Sequence, residues 1–213
     1  MIVNDDEKFV LIDKPINWTS HDVVAHLRKK YGIKKIGHAG TLDPFATGLL
    51  IVGVGRNATK RLDEFKNMPK IYAATIHLGA VSDTHDKMGV ITPSNGFRIP
   101  VRNDIEEIIR QFTGKQLQTP PMYSAKKIKG QKLYDLARAG ITVERKPVEI
   151  EIYSINLLEY TWPYIRIEVR CSTGTYIRTL AHDIGAKLGC GAYCEELRRI
   201  QIGKFKIENA EKI

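Results

Sequence analysis

Apolar and polar positions alternate with period two along residues 70–79, which puts Tyr72, Ile76 and Leu78 on one face and predicts a strand. After Thr19 the period lengthens to that of a helix, with Val23, Val24, Leu27 and Tyr31 on one side. Thr19 or Ser20 caps this helix, Arg28, Lys29 and Lys30 occupy its last turn, and Gly32 stops it. Ahead of it, residues 8–12 read as a short strand ending at Asp13-Lys14-Pro15, and Asn17 suits a left-handed turn. The run Leu49-Leu50-Ile51-Val52-Gly53-Val54 is apolar at successive positions, as expected of a strand covered on both faces. A second helix is predicted to start at Asn103, with Ile105, Ile108, Ile109 and Phe112 as its stripe and Gly114 at its end.

Residues 119–127 break regular structure, and a short helix over 132–139, closed by Gly140, is all that the next stretch accommodates. Residues 148–157 and 164–171 alternate on either side of Trp162-Pro163, which predicts an antiparallel pair with Ile165, Ile167, Val169 and Cys171 facing inward. A turn at Ser172-Thr173-Gly174-Thr175 then leads into a helix with Ile177, Leu180, Ala181, Ile184 and Leu188 buried and Gly189 as its stop. Arg178 falls in the first turn of that helix, where it opposes the helix dipole and needs either solvent or an anionic partner.

Composition narrows the class. The 213 residues, 43% hydrophobic and 27% charged, describe an ordinary globular protein with enough chain for a real core. No apolar run approaches the roughly 20 residues of a membrane span. The first residues have neither the basic start nor the apolar core of a signal peptide, which predicts a cytoplasmic protein. Cys171, Cys190 and Cys194 are odd in number and read as buried thiols, because no second pair completes a zinc set. His77, Asp83, His85 and Asp86 lack a recurring ligand spacing, so no metal is expected there.

Charge adds a direction. The net charge is +9, and residues 124–146 carry Lys126, Lys127, Lys129, Lys132, Arg138, Arg145 and Lys146 against only Asp135 and Glu144. With Tyr123 and Tyr134 beside them, these residues offer both phosphate partners and stacking faces for a nucleic acid, although a solvated amphipathic helix has the same composition.

The candidate chemistry centres on Asp43. Pro44 holds the residue before it away from the helical region, glycines stand on either side at Gly40 and Gly48, and the buried strand follows at once. A carboxylate fixed in this way suits a nucleophile or general base, while Asp-Pro alone is also a common turn initiator. The string His38-Ala39-Gly40-Thr41-Leu42-Asp43-Pro44-Phe45-Ala46-Thr47-Gly48-Leu49-Leu50 resembles the catalytic motif of the TruB family of RNA pseudouridine synthases. Residues 14–24 are similar to the family's N-terminal motif, with Asn17 where glycine is usual. Lys70, Tyr72, Leu78 and Gly79, followed by Ser82, Asp83, Thr84 and Asp86, resemble a second motif, with Ser82 for the usual threonine. Pro120-Pro121-Met122-Tyr123-Ser124-Ala125-Lys126 and the basic residues after it resemble the thumb loop that grips RNA, about 119–147. Residues 171–181 resemble a third motif, with Thr173 where lysine is often found, and residues 188–199 complete the match, with Tyr193 where histidine is common.

That resemblance implies an α+β fold, a mixed and largely antiparallel sheet flanked by helices, in one catalytic domain over residues 1–213 without the C-terminal PUA domain common in the family. It implies conversion of the T-loop uridine at tRNA position 55 to pseudouridine, without cofactor or metal, by a monomer that binds the tRNA T-arm. Asp43 would attack ribose C1′ or base C6, Tyr72 would contact the base, and Arg178 would pair with Asp43. His38 would fill the space of the flipped uridine. Tyr176, Leu197, Lys14, Lys60, Lys126, Lys132 and Arg138 are the further substrate-binding residues. Two other readings stay open: a guide-RNA-dependent pseudouridine synthase of the same superfamily, and a T-arm-binding tRNA chaperone whose catalysis is secondary.

Overall fold

Strand β1 (Lys8–Lys14) runs through a turn, with Asn17 left-handed at φ 65°, into helix α1 (Ser20–Tyr31). In the computed structural model, which describes residues 8–123, 127–128, 131–132, 141 and 143–213, the elements then follow as β2 (Ile36–Ala39), β3 (Thr47–Val54), α2 (Arg56–Lys60), α3 (Asp63–Lys66) and β4 (Lys70–Leu78). Next come β5 (Ala80–Ser82), β6 (Ile91–Pro93), α4 (Arg102–Arg110), β7 (Gly114–Gln118), β8 (Lys127–Ile128) and β9 (Gln131–Lys132). The chain closes with β10 (Val148–Thr161), β11 (Tyr164–Cys171), α5 (Ile177–Leu188), β12 (Ala192–Ile202), β13 (Phe205–Lys206) and β14 (Glu211–Lys212). Two compact units result, Met1–Ala73 with Leu197–Ile213, and Ala74–Glu196.

The first unit is built on β3. β1 pairs antiparallel along one edge of it from Lys8↔Val54 to Lys14↔Gly48. The other edge is shared: β2 pairs antiparallel with Ile51 to Val54, and β12 pairs parallel at Arg198↔Thr47 and Arg199↔Gly48. β14 lies parallel to β1, and β12 stands between β3 and β4 in the hydrogen-bonding order. Leu50, Val52 and Val54 pack with Val23, Val24 and Leu27 of α1, while Leu49 and Ile51 pack with Leu62, Phe65 and Ile202 on the opposite face. Both faces of β3 are therefore dry, as its unbroken apolar run predicts. Each such side chain contributes about 1.5–3 kcal/mol of burial. Thr19 caps α1 in a capping box with Asp22, and Gly32 ends it in the left-handed conformation.

In the second unit the order is β12-β4-β11-β10-β7. The even-numbered residues of β4 are all buried, so Tyr72, Ile76 and Leu78 share the inward face. β10 and β11 form the expected hairpin, which extends further than the alternation suggests, to Thr161↔Tyr164. α4 and α5 pack on each other, burying Ile105, Ile109, Ile177, Leu180, Ala181 and Ile184. α4 starts at Arg102 rather than Asn103, because the Asp104 carboxylate accepts from the Val101 N–H at 2.9 Å and fixes Val101 as the capping position. Lys132 lies in β9, and residues 133–139 of the predicted short helix are outside the described residues. No described helix is long and apolar enough to cross a membrane.

Candidate functional site

Asp43 sits on the loop that leaves β2 and enters β3, and this loop is tied down along its length. The Ala46 N–H donates to the Asp43 carbonyl at 3.1 Å and closes a turn, and the Asn17 N–H donates to the Pro44 carbonyl at 2.8 Å. Ser20, the first residue of α1, receives the Leu42 N–H at 2.9 Å and donates its own hydroxyl to the Leu42 carbonyl at 3.2 Å. The Lys14 ammonium donates to the carbonyls of Pro15, Trp18 and Pro44 at 2.9, 2.6 and 3.4 Å. Arg199 donates from Nε to the Leu49 carbonyl at 2.8 Å and from Nη2 to the Gly40 carbonyl at 3.0 Å. Neighbouring Arg198 makes a two-pronged ion pair with Asp13 and reaches the Thr47 hydroxyl at 3.3 Å.

Burial sets the charge states here. Lys14 is fully buried, and desolvation lowers its pKa to about 8, with the Asp43 charge as the strongest opposing influence and Arg199 pushing further down. His38, in β2, is brought down to about 4, mainly by burial and next by Arg199. It is therefore a neutral ring at pH 7. The Asp43 carboxylate is half-buried, and its charge and that of Arg199 both act on the buried Lys14 ammonium, in opposite directions.

In the second unit Arg178 is 3% exposed and pairs with the buried Asp86, Nη1 to Oδ2 at 3.2 Å. It also donates to the Thr84 carbonyl at 3.0 Å and the Tyr123 carbonyl at 2.8 Å. The unfavourable placement of an arginine in a first helical turn is thus met by an anion rather than by solvent. Asp86 is itself fixed, accepting from the Thr84 hydroxyl at 2.8 Å and the Met88 N–H at 3.0 Å, while Asp83 accepts from the Val90 N–H at 2.8 Å. The acidic and hydroxyl residues of this turn therefore hold it together. His85 lies within it at φ 63°, stacked 4.1 Å from His182, and burial followed by His182 lowers its pKa to about 4.

The remaining residues singled out in the sequence are dispersed. Tyr72 is 9% exposed on β4, Leu197 is buried at the start of the β12 segment of the first unit, and Lys60 is exposed at the end of α2. Tyr176 precedes α5, and its peptide N–H and carbonyl are both held by the amide of buried Gln118 at 2.8 and 3.0 Å. Lys126 and Arg138 lie outside the described residues, and of Lys132 only the backbone is described. Among the described residues, no three His, Cys, Asp or Glu side chains are grouped to hold a metal ion. Ser20 and Arg199 in the first unit, and Asp86 in the second, have structural roles and are not among the predicted site residues. Asp86 and Arg199 each fall within a stretch of the family match, but neither is given a role there.

Comparison with known proteins covers nearly all of the chain. The model of the TruB family pseudouridylate synthase N-terminal domain matches residues 28–177, and that of the tRNA pseudouridylate synthase B C-terminal domain matches residues 178–213. The tRNA pseudouridine synthase B of Protochlamydia amoebophila is 50% identical over 203 residues, 95% of this chain and 77% of that protein. The protein of the same name from Geobacter sulfurreducens is 47% identical over 202 residues, 95% of this chain and 66% of the relative. A chain in the crystal structure of a Cbf5-Nop10-Gar1 complex superposes with a TM-score of 0.75 at 32% identity, over 96% of this chain and 52% of that one. The chain thus spans about half of that solved protein, and about two thirds to three quarters of the two curated relatives.

Proposed function

The chain belongs to the TruB family of pseudouridine synthases, and from that premise we propose that it isomerises the T-loop uridine at position 55 of tRNA to pseudouridine, with Asp43 as nucleophile. The reaction breaks the bond between ribose C1′ and base N1, turns the uracil, and forms a bond from C1′ to C5. The C5 proton leaves and N1 gains one, so the atoms balance without a cofactor. Attack at C1′ or at C6 alike needs an ionised, immobile carboxylate.

The observation that carries the reading is the anchoring of the Asp43 loop at Gly40, Leu42, Pro44 and Leu49, by Lys14 of β1, Asn17 of the following turn, Ser20 of α1 and Arg199 of β12. The buried Lys14 ammonium interacts with the Asp43 charge and helps to hold an anion at this loop. A uridine must leave its stack to be reached, and neutral His38 is suited to take its place against the neighbouring bases. Tyr72 contacts the turned base from the inward face of β4. Arg178 keeps the role that the resemblance gives it, as the partner that holds the nucleophile charged. The basic segment 119–147, with Lys126, Lys132 and Arg138, grips the T-arm, and Lys14 serves the loop rather than a phosphate, since its ammonium is spent on three carbonyls. The cytoplasm, where tRNA is modified, is the compartment this reading assigns.

The test is pseudouridine formation on an unmodified tRNA transcript, mapped to the nucleotide, for wild type and Asp43→Asn. Product at the T-loop uridine that vanishes in the variant is the expected result. A well-folded wild type that makes none would overturn it in favour of guide-dependent action.

A further inference from the structure

We propose that Arg199 is the positioning residue of the Asp43 loop, a single buried guanidinium that joins the two ends of the loop and so fixes where the carboxylate stands. The inference rests on the reading of Asp43 as nucleophile. Its origin is a gap in the sheet. Along one edge of β3, β12 pairs only as far as Gly48 and β2 begins only at Ile51, so the Leu49 carbonyl has no strand partner on that side. The chain departs for the loop at the same level, at Gly40 just after β2.

Arg199 fills this gap. Its side chain is 1% exposed, so water is excluded from the carbonyls it serves, and its Nε and Nη2 reach Leu49 and Gly40 at 2.8 and 3.0 Å. The planar fork of a guanidinium can hold two acceptors at a fixed spacing, which a single ammonium cannot. Gly48 makes the approach possible: a Cβ there would lie 2.3 Å from the Arg199 carbonyl oxygen. The charge has a second effect, since Arg199 is the leading charged group holding His38 in its neutral form.

The experiment measures the single-turnover rate on saturating unmodified tRNA transcript, RNA affinity by filter binding, and the His38 titration by NMR. The variants are Arg199→Lys, Arg199→Met and, alongside them, Asp43→Asn. Arg199→Lys keeps charge and near volume but loses the fork. A displacement of about 1 Å at a reacting group costs roughly 100-fold, so a rate loss of that order is expected with affinity within about twofold of wild type. His38 should keep its low midpoint in Arg199→Lys and titrate at higher pH in Arg199→Met. Arg199→Lys decides the matter if Arg199→Met fails to fold. An Arg199→Lys rate within about threefold of wild type, or a loss lying wholly in affinity, overturns the proposal. An active Asp43→Asn enzyme overturns the nucleophile reading and this one with it, whereas inactive Asp43→Asn beside a fast Arg199→Lys overturns this one alone.

Discussion

Replacing Gly48 by alanine should separate two costs that are usually confounded. Gly48 has φ +105°, and its missing Cβ would fall 2.3, 2.7 and 3.0 Å from the O, N and C atoms of Arg199, all of them backbone. Gly114, at the start of β7, has φ +104° and nothing within 4 Å of the same position. Gly114→Ala therefore carries only the backbone cost of an L-residue at positive φ, about 1–3 kcal/mol. Gly48→Ala carries that and an overlap that no rotamer relieves, because the obstacle is the β12 main chain. Forcing β12 from β3 adds about 1–3 kcal/mol on the scale of overpacked cores. The two variants should thus differ by about 2 kcal/mol, or roughly 4–8 °C in melting temperature for a chain of this size. Urea unfolding of both, with equal slopes required, measures the difference directly. Equal losses within about 0.5 kcal/mol, inside the scatter of ordinary surface substitutions, would show that the close approach of β12 to β3 carries no such cost.

Acid should destabilise the fold through His38 and His85, both lowered from 6.5 to about 4. Between those values the unfolded chain binds protons that the folded one refuses, so stability is complete above pH 6.5 and falls as pH drops toward 4, by about 3 kcal/mol for each ring. A urea-midpoint series from pH 7 to 4 that is no flatter in His38→Gln/His85→Gln than in wild type would contradict this. Asp86→Asn keeps the shape of the side chain and its acceptor oxygen, but strips the Arg178 guanidinium of its Asp86 charge in a buried setting. With Arg178 still held by the Thr84 and Tyr123 carbonyls, losing this charge-assisted bond should cost about 1.5–3 kcal/mol in the same assay, and a loss below about 0.5 kcal/mol would refute a stabilising role for the pair.

The parts of the fold that were legible are those where one face of an element meets water and the other does not. The stripe of α1 with its Thr19 cap, the alternation of β4 and the apolar run of β3 each follow from period and burial alone. β12 was not foreseen, because it buries Arg199 and Leu197 while exposing Glu196, so its polarity does not follow its faces. β2 is four residues long, too short for any period to show. In the site, Asp43 was legible from Pro44 and the flanking glycines. Lys14 was named as a substrate-binding residue and Arg199 fell within the match, but their burial was not legible, since long basic side chains ordinarily lie in water and only the carbonyls left over by the loop, a tertiary feature, explain it. Arg178 lies between these cases: the helix dipole announced that it needed an anion, but not that Asp86 would be among its partners.

The bond from Arg199 to Leu49 spans 150 positions of sequence, and this has a meaning in time. At ribosomal rates of about 5–20 residues per second, the brace is made roughly 8–30 s after the loop it holds. Through that interval Asp43 depends on Lys14, Asn17 and Ser20, all translated before it. A nascent chain therefore carries the motif long before it carries the brace, and the loop is fully tied down only once β12 is made.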